Sequence, residues 1–242
     1  MIVDQEKCIG CRRCIPYCPC RAISMTDERK AFIDLAQCYE CGVCQMVQVC
    51  PTDALVYQEM TKDRLTRYYF NNVLVKHPVT KMTGRGTAEM KTNEVTNRYK
   101  HGEAGFGVEI GRPDVGATFR DVQTVAMALA GAGVTFEPGA PTTLLMEDAE
   151  RGTMADEILD ERIICAIIEF TIKTEKLAKI LRVLDNVSKE IDTVFSIDLI
   201  TRTETDGRLP NLEIVAEEGY EVRPNAKATI GLGRVSNPGK EV

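Results

Sequence analysis

The sequence has no tryptophan, two histidines and an aromatic content of 6%. No apolar run approaches the ~20 residues of a membrane-spanning helix, so we predict no membrane span. The N-terminus lacks a basic segment followed by an apolar one, so no secretion signal is indicated. Cysteine is nearly absent after residue 50, where Cys165 stands alone. Because disulfides need an oxidising compartment, we expect a cytoplasmic protein whose reduced thiols are available for metal.

The charge of the chain is unevenly distributed. The net charge of −6 gives no general reason to expect a nucleic-acid partner. Residues 62–101, however, carry 9 basic and 3 acidic side chains, whereas residues 102–242 carry 15 basic and 25 acidic ones. The length of 242 residues is long for one domain and sufficient for two. We therefore expect a basic segment between two domains.

Nine of the ten cysteines lie in the first 50 residues and form two similar runs. Each run opens with three cysteines at the spacing C-x2-C-x2-C and ends on a Cys-Pro pair. The first run consists of Cys8, Cys11, Cys14 and Cys18 with Pro19, and the second of Cys38, Cys41, Cys44 and Cys50 with Pro51. The first three cysteines repeat at an offset of 30 residues, which indicates a tandem duplication.

This spacing has a chemical reason. Cysteine thiolates separated by two intervening residues in a tight loop can reach three corners of one iron–sulfur cube. The Cys-Pro of the other run can supply the fourth corner. Soft anionic sulfur ligands suit iron and zinc. Structural zinc sites usually pair C-x2-C knuckles over a longer gap, which fits these two runs poorly. The pattern therefore favours iron–sulfur clusters over zinc.

Residues 1–58 resemble a bacterial-type ferredoxin with two [4Fe-4S] clusters. The resemblance covers about a quarter of the chain and rests on both cysteine runs. It implies that two sets of four cysteines hold one cluster each: Cys8, Cys11, Cys14 and Cys50 the first, and Cys38, Cys41, Cys44 and Cys18 the second. It also implies that the domain transfers single electrons.

The second run departs from the pattern of this family. Five residues instead of three separate Cys44 from Cys50, which requires a bulge or a longer helix there. Cys20 adds an ambiguity, because Cys14 and Cys20 have the same spacing as Cys44 and Cys50. Either Cys18 or Cys20 could be the donated ligand. We favour Cys18, because its Cys-Pro-x-x-Ala sequence is repeated at Cys50, and we expect Cys20 to be a small buried residue near a cluster.

Residues 61–103 are predicted to form a basic extended linker or docking arm between residues 1–60 and a domain over 104–242. Within it, residues 68–75 are typical of a strand, and both histidines are expected to be exposed in turns. The positive charge has three interpretations: docking onto an acidic partner, contact with phosphates of a dinucleotide or coenzyme A near Arg85, or a solvated linker.

The pattern of residues 104–242 predicts strands and helices in the order β-α-β, β-α-β. The strands are expected at 106–110, 134–136, 163–172 and 194–200, and the helices begin after the caps Thr118 and Thr174. Residues 212–216 are expected to add an edge strand. The fold class is therefore α+β, with a ferredoxin-like βαββαβ split sandwich that implies no cluster of its own. It resembles small regulatory modules of the ACT type, which implies a possible homodimer.

Two functions follow from these patterns. The first is an electron-transfer subunit of a larger oxidoreductase, whose partner or catalytic subunit holds a flavin, a metal-pterin or another iron–sulfur cluster. The sequence assembles no acid, base or nucleophile, so we expect no catalytic residues in this chain. The alternative is a redox or ligand sensor that couples the cluster domain to an ACT-like regulatory domain.

Overall fold

The fold is described from a computed structural model, which covers residues 1–78, 81, 83, 98–112 and 115–222. The glycine-rich motif around Arg85 and the tail beyond residue 222 lie outside the described residues. None of the described helices is long and apolar enough to cross a membrane.

The N-terminal part consists of two similar halves joined by short antiparallel strand pairs. Strand β1 (Ile2–Val3) pairs with β4 (Leu55–Val56), and β2 (Ile23–Met25) pairs with β3 (Ala31–Ile33). The first cysteine run contains a single 3-10 turn, Ile15–Tyr17, and the second contains the four-residue helix α1, Val43–Met46. The helix of the second run is one residue longer than the turn of the first run, and so it takes up one of the two extra residues.

Helix α2 (Lys62–Asn71) replaces the beginning of the predicted extended linker, and the predicted strand at 68–75 is wrong. The buried side chains of this helix are Arg67, Phe70 and Asn71, which lie on one face at spacings of three and four residues. Tyrosine and phenylalanine are frequent in strands, which made the sequence resemble one. Tertiary contacts of this face override that preference.

The C-terminal part is built on an antiparallel sheet. Its central strand β5 (Glu103–Ile110) pairs with β10 (Ala166–Lys173) on one side and with β11 (Phe195–Ile200) on the other. The predicted strand at 134–136 is reduced to one bridge, in which Phe136 pairs with Phe170 of β10. Numbered along the chain, the four predicted strands therefore lie in the order 4-1-3-2.

Two helices contribute apolar faces to the core of the C-terminal part, which is called the main core below. Helix α3 (Phe119–Gly131) begins at the predicted cap Thr118, whose hydroxyl accepts a hydrogen bond from the Asp121 amide while the Asp121 carboxylate accepts one from the Thr118 amide. Helix α4 (Leu177–Val187) follows a 3-10 turn, and the predicted cap Thr174 instead donates its hydroxyl to Asn211. The two helices bury side chains at helical spacing: Val122, Val125 and Leu129 of α3 and Leu177, Ile180, Leu181 and Leu184 of α4.

Shorter elements complete the C-terminal part. Strand β6 (Ala117–Thr118) pairs with β9 (Arg162–Ile163), and β7 (Met146–Asp148) pairs with β8 (Thr153–Met154).

Helix α5 (Pro210–Glu217) occupies the predicted edge strand at 212–216, so that prediction is wrong. Its buried residues, Asn211 and Val215, are four positions apart, and Pro210 at the first helical position has no amide hydrogen that would need a partner there.

Candidate metal centres

The first cavity of the N-terminal part is lined by four cysteines. Three of them, Cys8, Cys11 and Cys14, come from the first run, and Cys50 comes from the Cys-Pro pair of the second run. The cavity and the open space at its mouth together have an empty volume of about 330 Å³. Its remaining lining is apolar apart from two residues with polar side chains, Arg12 and Thr52.

The second cavity has nearly the same size, about 320 Å³, and the reciprocal composition. Cys38, Cys41 and Cys44 of the second run line it together with Cys18 of the first. Cys20 also lies in its wall, with its sulfur 3.6 Å from that of Cys18. The structure thus brings together both predicted sets of four cysteines, and it places a fifth thiol beside the second set.

Backbone amides donate hydrogen bonds to the sulfur of the last cysteine in each run. The amide of Ala22 lies 3.2 Å from Cys18 Sγ, and the amide of Ala54 lies 3.2 Å from Cys50 Sγ. In each case the alanine follows four residues after the cysteine, so the repeated Cys-Pro-x-x-Ala sequence forms the same local structure twice. Amide donors of this kind stabilise thiolates and tune the reduction potential of a cluster.

Burial raises the pKa of four of the thiols that line the cavities, those of Cys14, Cys38, Cys41 and Cys44. Burial, with a contribution from the neighbouring thiols of Cys41 and Cys38, raises the pKa of Cys44 to about 12. The neighbouring Cys20 thiol, through a hydrogen bond between the two side chains, has the opposite effect on Cys18 and lowers its pKa. Thiolates crowded in an apolar cavity need positive charge, which bound iron provides as the thiols release their protons. Each cavity thus offers four or more thiol sulfurs as its candidate metal ligands and has mostly apolar walls, which fits an iron–sulfur cluster.

Arg67 of helix α2 joins the second cysteine run to the C-terminal part. Its guanidinium Nη1 donates to the carbonyl oxygens of Leu35, at 3.0 Å, and Cys38, at 2.6 Å. Its Nε lies 2.6 Å from a carboxylate oxygen of Glu161, which neutralises this buried cation. A residue that was predicted to lie in a solvated or docking linker therefore supports the backbone of a cysteine that lines the second cavity.

Asn71, one turn further along the helix, makes three more hydrogen bonds to the backbone of the cysteine loop and of the C-terminal part. Its side-chain amide donates to the carbonyl oxygens of Tyr39, at 2.8 Å, and Arg162, at 2.9 Å, and its oxygen accepts from the Ile164 amide at 2.8 Å. Sequence reasoning missed Arg67 and Asn71. If the segment had been predicted as a helix, the spacing of four residues would have placed Arg67 and Asn71 on the same face.

Glu40, between the first two cysteines of the second run, is fully buried. It accepts hydrogen bonds from the guanidinium of Arg64 in α2 and from the terminal amine of Met1, the latter at 2.5 Å. Two positive charges therefore compensate this carboxylate, which burial alone would make unfavourable.

The two histidines differ in exposure, and only one of them departs from the prediction. His77 is buried, so its expected exposure is wrong, whereas His101 is exposed and lies 3.5 Å from Glu204. Cys165 is fully buried in the C-terminal part and lines neither cavity. Among the residues that the structure describes, no three histidine, cysteine or carboxylate side chains are grouped to hold a single metal ion.

The duplicated fold and its sulfur-lined cavities define an iron–sulfur protein of the ferredoxin type. Residues 7–54 match the family described as the 4Fe-4S dicluster domain. An uncharacterized ferredoxin of Methanocaldococcus jannaschii, MJ0722, is 41% identical over 59 residues, which cover 23% of this chain and 74% of that protein. The chain belongs to this 4Fe-4S ferredoxin family through its N-terminal part.

Larger proteins contain the same domain. The putative oxidoreductase UacF of Escherichia coli is 40% identical over 53 residues, and the indolepyruvate oxidoreductase subunit IorA of Pyrococcus abyssi is 45% identical over 53 residues. Each match covers 22% of this chain but only 8% of the relative. No solved structure matches the chain significantly.

Proposed function

We propose that the protein binds two [4Fe-4S] clusters and relays single electrons as a subunit of a larger oxidoreductase. The observation that carries this proposal is the exchange of cysteines between the two runs, which gives each cavity three cysteines from one run and one from the other. The proposed ligands are Cys8, Cys11, Cys14 and Cys50 in the first cavity and Cys18, Cys38, Cys41 and Cys44 in the second.

The chemistry of this function is divided between the clusters and the chain. Bound clusters supply reversible one-electron chemistry. The chain surrounds them with mostly apolar walls, and its amides at Ala22 and Ala54 donate to ligand sulfurs. These contacts favour the more negative sulfur atoms of a reduced cluster and thereby adjust its potential.

The partner is proposed to be a catalytic subunit that holds a flavin, a metal-pterin or a further iron–sulfur cluster. Two of the relatives are named as an oxidoreductase and an oxidoreductase subunit, which supports this role.

The proposed domains are residues 1–60, a connecting segment over 61–103, and residues 104–242. The strand order 4-1-3-2 supports a βαββαβ sandwich in the last of these. We propose that this domain is an assembly surface. The homodimer and the sensor hypothesis stay predictions.

The test is the iron content and the redox behaviour of protein prepared without oxygen. We expect about eight irons per chain, a broad absorbance that reductant bleaches, and one-electron reduction without turnover of a metabolite. Zinc in place of iron, or four irons or fewer in the wild type, would contradict the proposal.

Matched cysteine variants assign the ligands of the second cavity. Cys18→Ser should lose about half of the iron, whereas Cys20→Ser and Cys165→Ser should keep all of it. Loss of half of the iron in Cys20→Ser, with full iron in Cys18→Ser, would make Cys20 the donated ligand instead.

A further inference from the structure

We propose that electrons enter or leave at the first cavity, through a basic edge formed by Ile9, Cys11, Arg12 and Arg13. This edge fits a redox partner whose surface presents carboxylates around an apolar centre. The inference rests on the proposed electron-transfer function, and it adds the place where electrons cross the protein surface and the chemistry of the partner surface.

The two cavities differ in their access to solvent. Of the ten cysteines, all of which the structure describes, only Cys11 is exposed. Ile9, beside it in the wall of the first cavity, is 65% exposed. In the second cavity Cys38 and Cys41 are buried, and helix α2 holds the loop around Cys38 against the C-terminal part. Because electron transfer weakens steeply with distance, the exposed sulfur is the favourable point for a partner to approach.

Arg12 has a backbone conformation that its side chain does not favour. Its φ is +64°, and Gly42, its counterpart 30 residues later in the duplication, has φ +73°. Glycine adopts this left-handed region without strain, whereas other residues rarely do. At Gly42 a Cβ atom would also lie 2.7 Å from the Tyr57 hydroxyl, so that site requires glycine. The first run therefore carries a surface charge at a position where the second run has glycine, and this difference assigns Arg12 a role that is specific to the first cavity.

The charge distribution indicates what that role is. All six lysines and arginines of residues 1–61 lie between Lys7 and Lys30, and residues 31–61 contain none. Arg12 and Arg13 are exposed, and neither forms an ion pair with any residue that the structure describes. Four thiolates give a loaded cluster a net negative charge, which repels an acidic surface. The two guanidiniums oppose that charge and attract carboxylates of a partner.

The test uses small redox reagents of opposite charge with the cluster-loaded protein. Each reaction moves one electron from the reduced protein to hexacyanoferrate(III) or to hexaammineruthenium(III), without a proton, and stopped-flow absorbance gives its rate. The double variant Arg12→Gly with Arg13→Val copies Gly42 and Val43 of the second run, so it should fold. The control, Arg151→Gln with Lys189→Gln, removes the same charge from exposed positions of the C-terminal part.

The expected result follows from the loss of two charges close to a trivalent reagent. At ~0.1 M salt and a separation of ~8 Å, the rate with the anionic reagent should fall about tenfold and the rate with the cationic reagent should rise about as much. The control should stay within about twofold of the wild type for both reagents.

A second measurement does not depend on electron transfer. Binding of redox-inert hexacyanocobaltate(III) broadens its 59Co magnetic resonance, and we expect the basic-edge variant to lose most of this broadening while the control keeps it. If the variant matched the control in rates and in broadening, the inference would be overturned while the proposed function stood. Protein without a reducible cluster would refute both.

Discussion

At the residue scale, His77 shows how burial affects a titrating side chain. Burial lowers its pKa from the usual 6.5, because the imidazolium form would lose its hydration. The unfolded chain therefore binds the proton more tightly than the folded chain does. The stability that this histidine contributes is present above pH 6.5 and is lost as the pH falls below it.

We therefore expect wild-type protein to lose stability between pH 7.5 and pH 5.5 to a greater extent than His77→Gln. The measurement is the urea midpoint of unfolding, followed by circular dichroism at both values. His101→Gln removes the other histidine, which is exposed and lies 3.5 Å from Glu204, and tests whether the difference is specific to His77. An identical pH response of all three proteins would contradict the assignment.

The cysteines show how much of the candidate site could be predicted from single residues of the sequence. Eight of them could be grouped into two sets from their spacing and from the family resemblance, because three members of each set are close in sequence. The preference for Cys18 over Cys20 came from a local repeat, and the structure gives Cys18 and Cys50 equivalent amide donors, Ala22 and Ala54. Arg67 offered no such signal, since its partners Cys38 and Glu161 lie 29 and 94 residues away.

At the element scale, helix α2 connects the cysteine loop with strand β9 and the residues that follow it. Asn71 makes three buried hydrogen bonds there, so Asn71→Ala leaves two carbonyl groups and one amide without this partner. Each such group costs about 1–3 kcal/mol, and we expect the free energy of unfolding to fall by about 3 kcal/mol in total.

Denaturant unfolding followed by circular dichroism measures this cost. The control is Lys62→Ala in the same helix, whose side chain is 83% exposed and whose ion pair with Glu157 should contribute about 0–1 kcal/mol. Equal losses in the two variants would exclude a structural role of Asn71 between the two parts of the chain.

The elements also differ in how well the sequence predicts them. Helix α3 was predicted correctly because its signals, the Thr118 cap and the apolar spacing, are local. Residues 68–71 of α2 and residues 212–216 of α5 were expected to lie in strands, and the rest of α2 was expected to be an extended linker. In α2 the aromatic run favours a strand, and only distant contacts of Arg67 and Phe70 decide for a helix. In α5 a helix signal was present, because Pro210 stands at the first helical position, but the mostly apolar stretch at 212–216 was interpreted as a strand.

At the scale of the whole molecule, the two parts rely on different sources of stability. Among the described residues, the N-terminal core has 11 buried residues, three of which are the cysteines Cys8, Cys14 and Cys38. The main core of the C-terminal part has 27 buried residues and includes Phe70 of α2. A core as small as the first one usually needs metal or a covalent link to fold.

We therefore expect removal of iron by a chelator under reducing conditions to unfold residues 1–58 and to leave the main core folded. Hydrogen exchange followed by mass spectrometry should show loss of protection in 1–58, with protection retained in β5, β10 and the helices α3 and α4. Uniform loss of protection along the chain would mean that both parts fold as one unit with the metal.

Helix α2 also determines where the chain can be cut to obtain a free-standing ferredoxin. The carbonyl oxygens of Cys38 and Tyr39 receive their donors from Arg67 and Asn71, so a fragment that stops at residue 60 discards those donors. A fragment that continues through the helix keeps them, but it exposes Phe70 and the charge of Arg67, which Glu161 otherwise balances. An engineer who wished to transplant this electron carrier would have to redesign one face of a ten-residue helix.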